Sequence, residues 1–66
     1  MYRVANMAGG TEGRTDNLEE AVLAALTLPM VGQVYRTEDG RDAELVDLSA
    51  WELEYDADGN PYLVDA

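Results

Sequence analysis

Apolar and polar residues alternate through most of this chain, and one stretch alone carries the helical period. Tyr2-Arg3-Val4-Ala5-Asn6-Met7 alternates and predicts a first strand. Ala8 to Thr15, with Gly9, Gly10 and Gly13, predicts a flexible turn with room for a short hairpin through Thr11 to Arg14. Leu18, Ala21, Val22, Ala25 and Leu26 then fall at i, i+3, i+4, i+7 and i+8, a single apolar helical stripe from which Leu23 is excluded. Asp16 is the expected N-cap, and Glu19 three residues later completes a capping-box-like pair. Glu19 and Glu20 sit in the first turn, where the helix dipole favours negative charge. Pro29 ends the helix near Thr27 or Leu28.

Beyond the helix, Val34-Tyr35-Arg36-Thr37, Asp39-Gly40 and Ala43-Glu44-Leu45-Val46 predict a hairpin turning on Asp-Gly. Two registers are open. A two-residue loop pairs Glu38 with Arg41, whereas a three-residue loop sets Arg36 opposite Asp42. The last segment alternates strictly, with Trp51, Leu53 and Tyr55 on one face and Glu52, Glu54 and Asp56 on the other. Ser49-Ala50-Trp51-Glu52 also fits a capping box, and Trp51 and Tyr55 are one helical turn apart. The shortness of the run and its aromatic content favour a strand. Asp58-Gly59-Asn60 then turns the chain into Pro61-Tyr62-Leu63-Val64.

These elements predict an α+β fold of one domain spanning residues 1–66. It is a small antiparallel sheet of four to five strands with one α-helix packed on one face. The expected core is Leu18, Val22, Leu26, Val34, Leu45, Trp51, Leu53 and Val64. A chain of 66 residues buries only roughly 60% of its unfolded surface. Its oligomeric state stays open between monomer and homodimer.

Composition narrows the chemistry. The chain has no cysteine, histidine or lysine, and Ser49 is its single serine. No thiolate, imidazole or Schiff-base amine is therefore present, and Ser49 has no histidine to activate it. Carboxylate pairs do acid–base work only in a desolvating cleft, for which so short a chain has little room. A non-enzymatic protein with no cofactor is expected. No apolar run approaches the ~20 residues that span a bilayer, and Met1-Tyr2-Arg3-Val4 lacks the pattern of a signal peptide. The expectation is a cytoplasmic protein.

Charge is the most informative quantity. Fourteen acids against four arginines give −10. Residues 1–41 hold six acids and all four arginines, whereas residues 42–66 hold Asp42, Glu44, Asp47, Glu52, Glu54, Asp56, Asp58 and Asp65 with no base. Such a chain is repelled by nucleic acid and by anionic membranes, and it calls for a basic partner. On a strand, Glu52, Glu54 and Asp56 project one way about 6.8 Å apart. That interval is twice the ~3.4 Å axial spacing of phosphates along one strand of duplex DNA. Asp42, Glu44, Asp47, Glu52, Glu54, Asp56 and Asp58 are the candidate partner-binding residues. A mixed-sign surface is the ordinary pattern of a merely solvated face, and this segment departs from it.

In size, charge and freedom from catalytic residues the chain resembles the small acidic anti-CRISPR proteins encoded by phages. Residues Asp42 to Asp58, under a third of the chain, carry the likeness. Several of those proteins are DNA mimics, so the resemblance implies an inhibitor of a basic nucleic-acid-binding protein such as a CRISPR effector subunit. A second, local resemblance lies in Thr15-Asp16-Asn17-Leu18-Glu19-Glu20-Ala21-Val22 after an N-terminal strand. It is similar to the helix start of antitoxins of the HicB kind, with Gly9-Gly10-Thr11-Glu12-Gly13 where those have a proline-rich stretch. It implies a small regulatory module that binds a partner protein.

Two further patterns bear on ligands. Glu54-x-Asp56-x-Asp58-Gly59-Asn60 and Asp65 mimic the spacing of an EF-hand loop. Glutamate at the first position, Pro61 inside the loop and the short Asp65 at the last count against calcium, and a hairpin turn explains Asp58-Gly59. Gly9-Gly10-x-x-Gly13 lacks the lysine and spacing of a phosphate-binding loop.

Overall fold

The computed structural model describes residues 1–66. Its elements are β1 (Tyr2–Ala5), β2 (Thr11–Thr15), α1 (Leu18–Leu26), β3 (Gln33–Glu38), β4 (Arg41–Leu45), a 3₁₀ turn (Leu48–Ala50), β5 (Trp51–Tyr55) and β6 (Pro61–Asp65). They form a four-stranded sheet of order β2-β1-β3-β4 and a separate two-stranded sheet, β5-β6. The fold is α+β, with the helix packed against the strands. All pairings are antiparallel. Since β1 runs antiparallel to both β2 and β3, those two are parallel to each other, and α1 carries the chain across β1 from one to the other.

The apolar stripe of α1 explains the packing. Ala21, Val22 and Ala25 are fully buried with Val4 of β1 and Val34 of β3. Val4 and Val34 are paired across β1 and β3, so they share the face on which α1 lies. Tyr2, Leu18, Leu26, Leu28, Val46, Leu48, Trp51 and Leu63 close around this centre. The N-terminus is tied down by Thr37, whose N–H and hydroxyl both donate to the Met1 carbonyl at 2.9 and 3.0 Å.

The helix starts one residue later than the sequence reading placed it. Asn17, not Asp16, is the N-cap: its backbone is extended and its Oδ1 accepts from the Glu20 N–H at 3.0 Å. Asp and Asn cap about equally well, so the position is decided by the stripe, which makes Leu18 the first helical residue. Asp16 lies outside the helix, 3.9 Å from the terminal amine of Met1. Thr27 closes the other end, with its N–H and hydroxyl both donating to the Leu23 carbonyl. The chain then returns tightly past β1, with the Gly32 N–H donating to the Ala25 carbonyl.

Of the two hairpin registers, the two-residue loop is the one adopted. Glu38 pairs with Arg41, and Asp39 and Gly40 have φ of 51° and 78°. Positive φ at both loop residues is the turn whose twist matches that of the strands. A bulge between Arg36 and Thr37 then sets Thr37 opposite Asp42 and Arg36 opposite Glu44.

That register corrects the expected core. Leu45 pairs with Tyr35 and is 54% exposed, because it faces away from the helix. Its neighbour Val46 donates its N–H to the Val34 carbonyl and packs against the core instead. In β6 the same parity applies: Leu63 pairs with Leu53 and reaches the core, while Val64 pairs with Glu52 on the opposite face. Val4, Ala5, Ala21 and Ala25, absent from the expected core, complete the buried hydrophobic set.

Residues 51–55 form a strand. The helical signal before them is absorbed by the short 3₁₀ turn, whose N-cap is Asp47 instead of Ser49.

Candidate acidic interface

The seven candidate carboxylates do not form one row; they divide between two sheets and the connector that joins them. Asp42 and Glu44 lie on β4, in the four-stranded sheet, and both meet arginines. The Arg3 guanidinium donates from Nε to Asp42 Oδ1 at 3.0 Å and from Nη2 to Oδ2 at 2.7 Å. These hydrogen bonds hold the Asp42 carboxyl below the usual carboxylate range and raise the Arg3 pKa in turn. Arg3 also lies over the ring of Tyr35, 5.0 Å from its centroid. Glu44 sits 4.0 Å from Arg36, which donates to Glu38 at 2.6 Å.

Asp47 occupies the connector and serves the backbone. Its Oδ1 accepts from the N–H and the hydroxyl of Ser49 at 2.9 and 2.7 Å, and these bonds hold its carboxyl below the ordinary value.

Glu52, Glu54, Asp56 and Asp58 belong to the β5–β6 hairpin, and Glu52 and Glu54 share one face of β5. Their cross-strand partners on β6 are Val64 and Tyr62. Two acids therefore stand beside an aromatic and a β-branched residue on the same face. Asp56 opens the turn, and its Oδ1 accepts from the N–H groups of Asp58 and Asn60, both at 2.9 Å. Asp58 stands exposed at the tip. This turn explains the EF-hand-like spacing without a cation. No group of three or more His, Cys, Asp or Glu side chains is arranged to hold a metal ion.

Ion pairing sharpens the division. Every ion pair in the protein involves residues 1–44: Met1 with Asp16, Arg3 with Asp42, and Arg36 with Glu38 and with Glu44. Asp47, Glu52, Glu54, Asp56, Asp58 and Asp65 have no cationic partner. Glu12, Glu19, Glu20 and Asp39 are also unpaired, but they share their sheet and helix with four arginines, whereas the two-stranded sheet holds acids and no base.

One feature of the hairpin escaped the sequence reading. The β1–β2 and β5–β6 turns are built alike. Asn6 Oδ1 accepts from Ala8 and Gly10, as Asp56 Oδ1 does from Asp58 and Asn60. Asn6 N–H donates to the Gly10 carbonyl and Gly9 N–H to that of Asn6, matched by Asp56 with Asn60 and Gly59 with Asp56. Gly9 and Gly59 have φ of 88° and 83°. The signal was the spacing Asn-x-x-Gly and Asp-x-x-Gly, in which a short polar side chain caps a turn that needs a left-handed residue three positions on.

Comparison with protein-family models, with curated proteins and with solved structures finds no match. No helix is long and apolar enough to cross a membrane.

Proposed function

We propose that this protein is a non-enzymatic inhibitor that binds the basic, nucleic-acid-binding surface of a partner protein through the acidic β5–β6 hairpin. The observation that carries the reading is the contrast in charge pairing. Arginines meet Asp42 and Glu44, whereas Glu52, Glu54, Asp56 and Asp58 face no cation. Removing like charges from one another is the cheapest way to relieve repulsion in a small domain, yet here five acids, Asp65 included, are gathered on one hairpin. A partner bearing Arg or Lys offsets that repulsion and gains charge-assisted hydrogen bonds, bidentate where arginine meets carboxylate. The surface that ordinarily holds phosphates supplies such residues in a row. A DNA mimic of the anti-CRISPR kind is the inhibitor class that fits.

Immobilised protein incubated with cell extract at low salt tests this. Nucleic-acid-binding proteins are expected to be retained, and released both by salt and by duplex DNA. Retention that ignores salt and DNA, or that survives Glu52→Gln/Glu54→Gln unchanged, sinks the reading.

A second reading, an antitoxin-like or regulatory interaction module, has its own observation. Met7 and Met30 are 65% and 67% exposed and border one apolar recess with Leu28 and Pro29. Methionine adapts to varied partner surfaces. Under this reading Met30→Ser abolishes partner retention and the glutamate variants do not.

A further inference from the structure

We infer that the outer edge of β5 receives an extended, alternating basic segment of the partner as an added strand. The inference rests on the proposed basic partner and specifies how that partner is read.

The hydrogen-bond phase of the hairpin leads to it. Asp56 N–H donates to the Asn60 carbonyl at one end of the hairpin, and Ala66 N–H to the Ala50 carbonyl at the other. In an antiparallel ladder, bonded pairs recur every second residue. Glu54 with Tyr62 and Glu52 with Val64 are therefore the bonded pairs between these ends, consistent with the register. The N–H and C=O groups of Leu53 and Tyr55 point the other way, to the outer edge of β5. No backbone hydrogen bond from elsewhere in the protein reaches them. Of the pair, β6 makes the main approach to α1, and β5, which reaches the core through Trp51, pairs with no strand but β6.

An unpaired edge is a template for another strand. The side chains decide which strand. A second copy of this chain is a poor occupant: antiparallel self-pairing about Leu53 sets Glu52 opposite Glu54, and like charges directly opposite repel. A basic segment is a good one. With Leu53 and Tyr55 bonded to the incoming strand, Glu52 and Glu54 occupy the non-bonded positions, where Cα atoms approach to about 4.5 Å and side chains are closest. Residues opposite them are two apart in the partner and share the carboxylate face. The residue between them shares the face of Leu53 and of Tyr55, which is 59% exposed. The edge thus reads basic–apolar–basic in extended conformation.

Two synthetic peptides of identical composition test this, one alternating (Arg-Val-Arg-Val-Arg-Val-Arg) and one in blocks (Arg-Arg-Arg-Arg-Val-Val-Val). Binding and amide hydrogen exchange are followed by NMR at low salt. The alternating peptide is expected to bind about tenfold tighter than the blocked one, and to slow exchange at the Leu53 and Tyr55 amides. Tyr55→Pro, which deletes an outward donor but no ladder bond, is expected to lose that preference, while Tyr55→Val keeps it. Equal binding of both peptides with unprotected amides overturns strand addition and leaves the basic-partner reading standing. Failure of both peptides to bind overturns both.

Discussion

Arg3 and Asp42, 39 positions apart, are joined across the width of β3 by two hydrogen bonds, with Tyr35 of the intervening strand beneath the guanidinium. Arg3 is directly opposite Tyr35, and Asp42 is placed by the bulge that follows Arg36. The pair therefore clamps three strands of the sheet on the face away from α1, and a planar, forked donor is what that geometry requires.

The first prediction concerns its pH dependence. The folded-state pKa of Asp42 is depressed, chiefly by the hydrogen bond from Arg3. A depressed carboxyl stabilises the fold above its unfolded pKa of about 3.9, and that contribution is lost as pH falls through the folded value. Asp42→Asn is expected to melt below the parent at pH 7, with the gap narrowing as both are acidified. Thermal melts from pH 7 to pH 2 measure it, and a gap independent of pH speaks against the clamp.

The turn past β1 leaves no room for a side chain. A Cβ on Gly32 would lie 2.2 Å from the Ala5 carbonyl oxygen and 2.8 Å from a Leu28 methyl carbon. The first contact is with backbone of a buried strand, which cannot move aside cheaply. Gly32→Ala is expected to cost about 1–3 kcal/mol, as overpacking does. Each kcal/mol lowers the melting temperature of so small a domain by roughly 4–8 °C. An unchanged melt means that the α1–β3 connection is placed differently.

Side-chain parity in β4 gives a paired test. Leu45 looks like a core residue by hydrophobicity alone, yet it faces solvent and Val46 faces the core. Leu45→Thr is expected to change stability by no more than about 0.5 kcal/mol, as for other exposed positions. Val46→Thr sets a hydroxyl against the hydrophobic core and is expected to cost about 1–3 kcal/mol. Urea unfolding of the two variants settles the register, and the reverse ranking is incompatible with a bulge at Arg36.

The same residues show what the sequence disclosed. The element order, the helix stripe and the Asp39-Gly40 turn were legible because each rests on local periodicity or on a demand for positive φ. Leu45 was misplaced because one extra residue in a bulge reverses every later face, and a bulge depends on pairing with a distant strand. In the acidic segment, the alternation of Glu52 and Glu54 was visible. The neutralisation of Asp42 by Arg3 was not, since it depends on β1 and β4 flanking β3. The N-cap slipped by one because Asp16 and Asn17 are equivalent caps and tertiary packing chose between them.

The Asp56 turn separates hydrogen bonding from charge. Asp56→Asn keeps an Oδ1 that accepts from Asp58 and Asn60, whereas Asp56→Ala leaves both N–H groups to water. Asp56→Ala is expected to lose about 0.5–1.5 kcal/mol, the usual net worth of such bonding. Asp56→Asn is expected to match or exceed the parent, because it removes one charge from a crowded hairpin. If the alanine and asparagine variants melt together, the side chain does not organise the turn.

Self-repulsion in the β5–β6 hairpin is measurable without any partner. Glu52, Glu54, Asp56 and Asp58 lie within one short hairpin that holds no cation, and exposed like charges are screened over about 10 Å at 0.1 M salt. Added sodium chloride is therefore expected to stabilise the parent protein. Glu52→Gln/Glu54→Gln is expected to be more stable than the parent at low salt, with a shallower response to salt. Raising salt screens the repulsion in the parent that the double variant has already lost, so the two curves converge. Urea midpoints at low and high ionic strength read this directly. Parallel curves mean that Glu52 and Glu54 are too far from the other acids to repel them, and the hairpin is then not the concentrated anionic surface on which the proposed recognition of a basic partner depends.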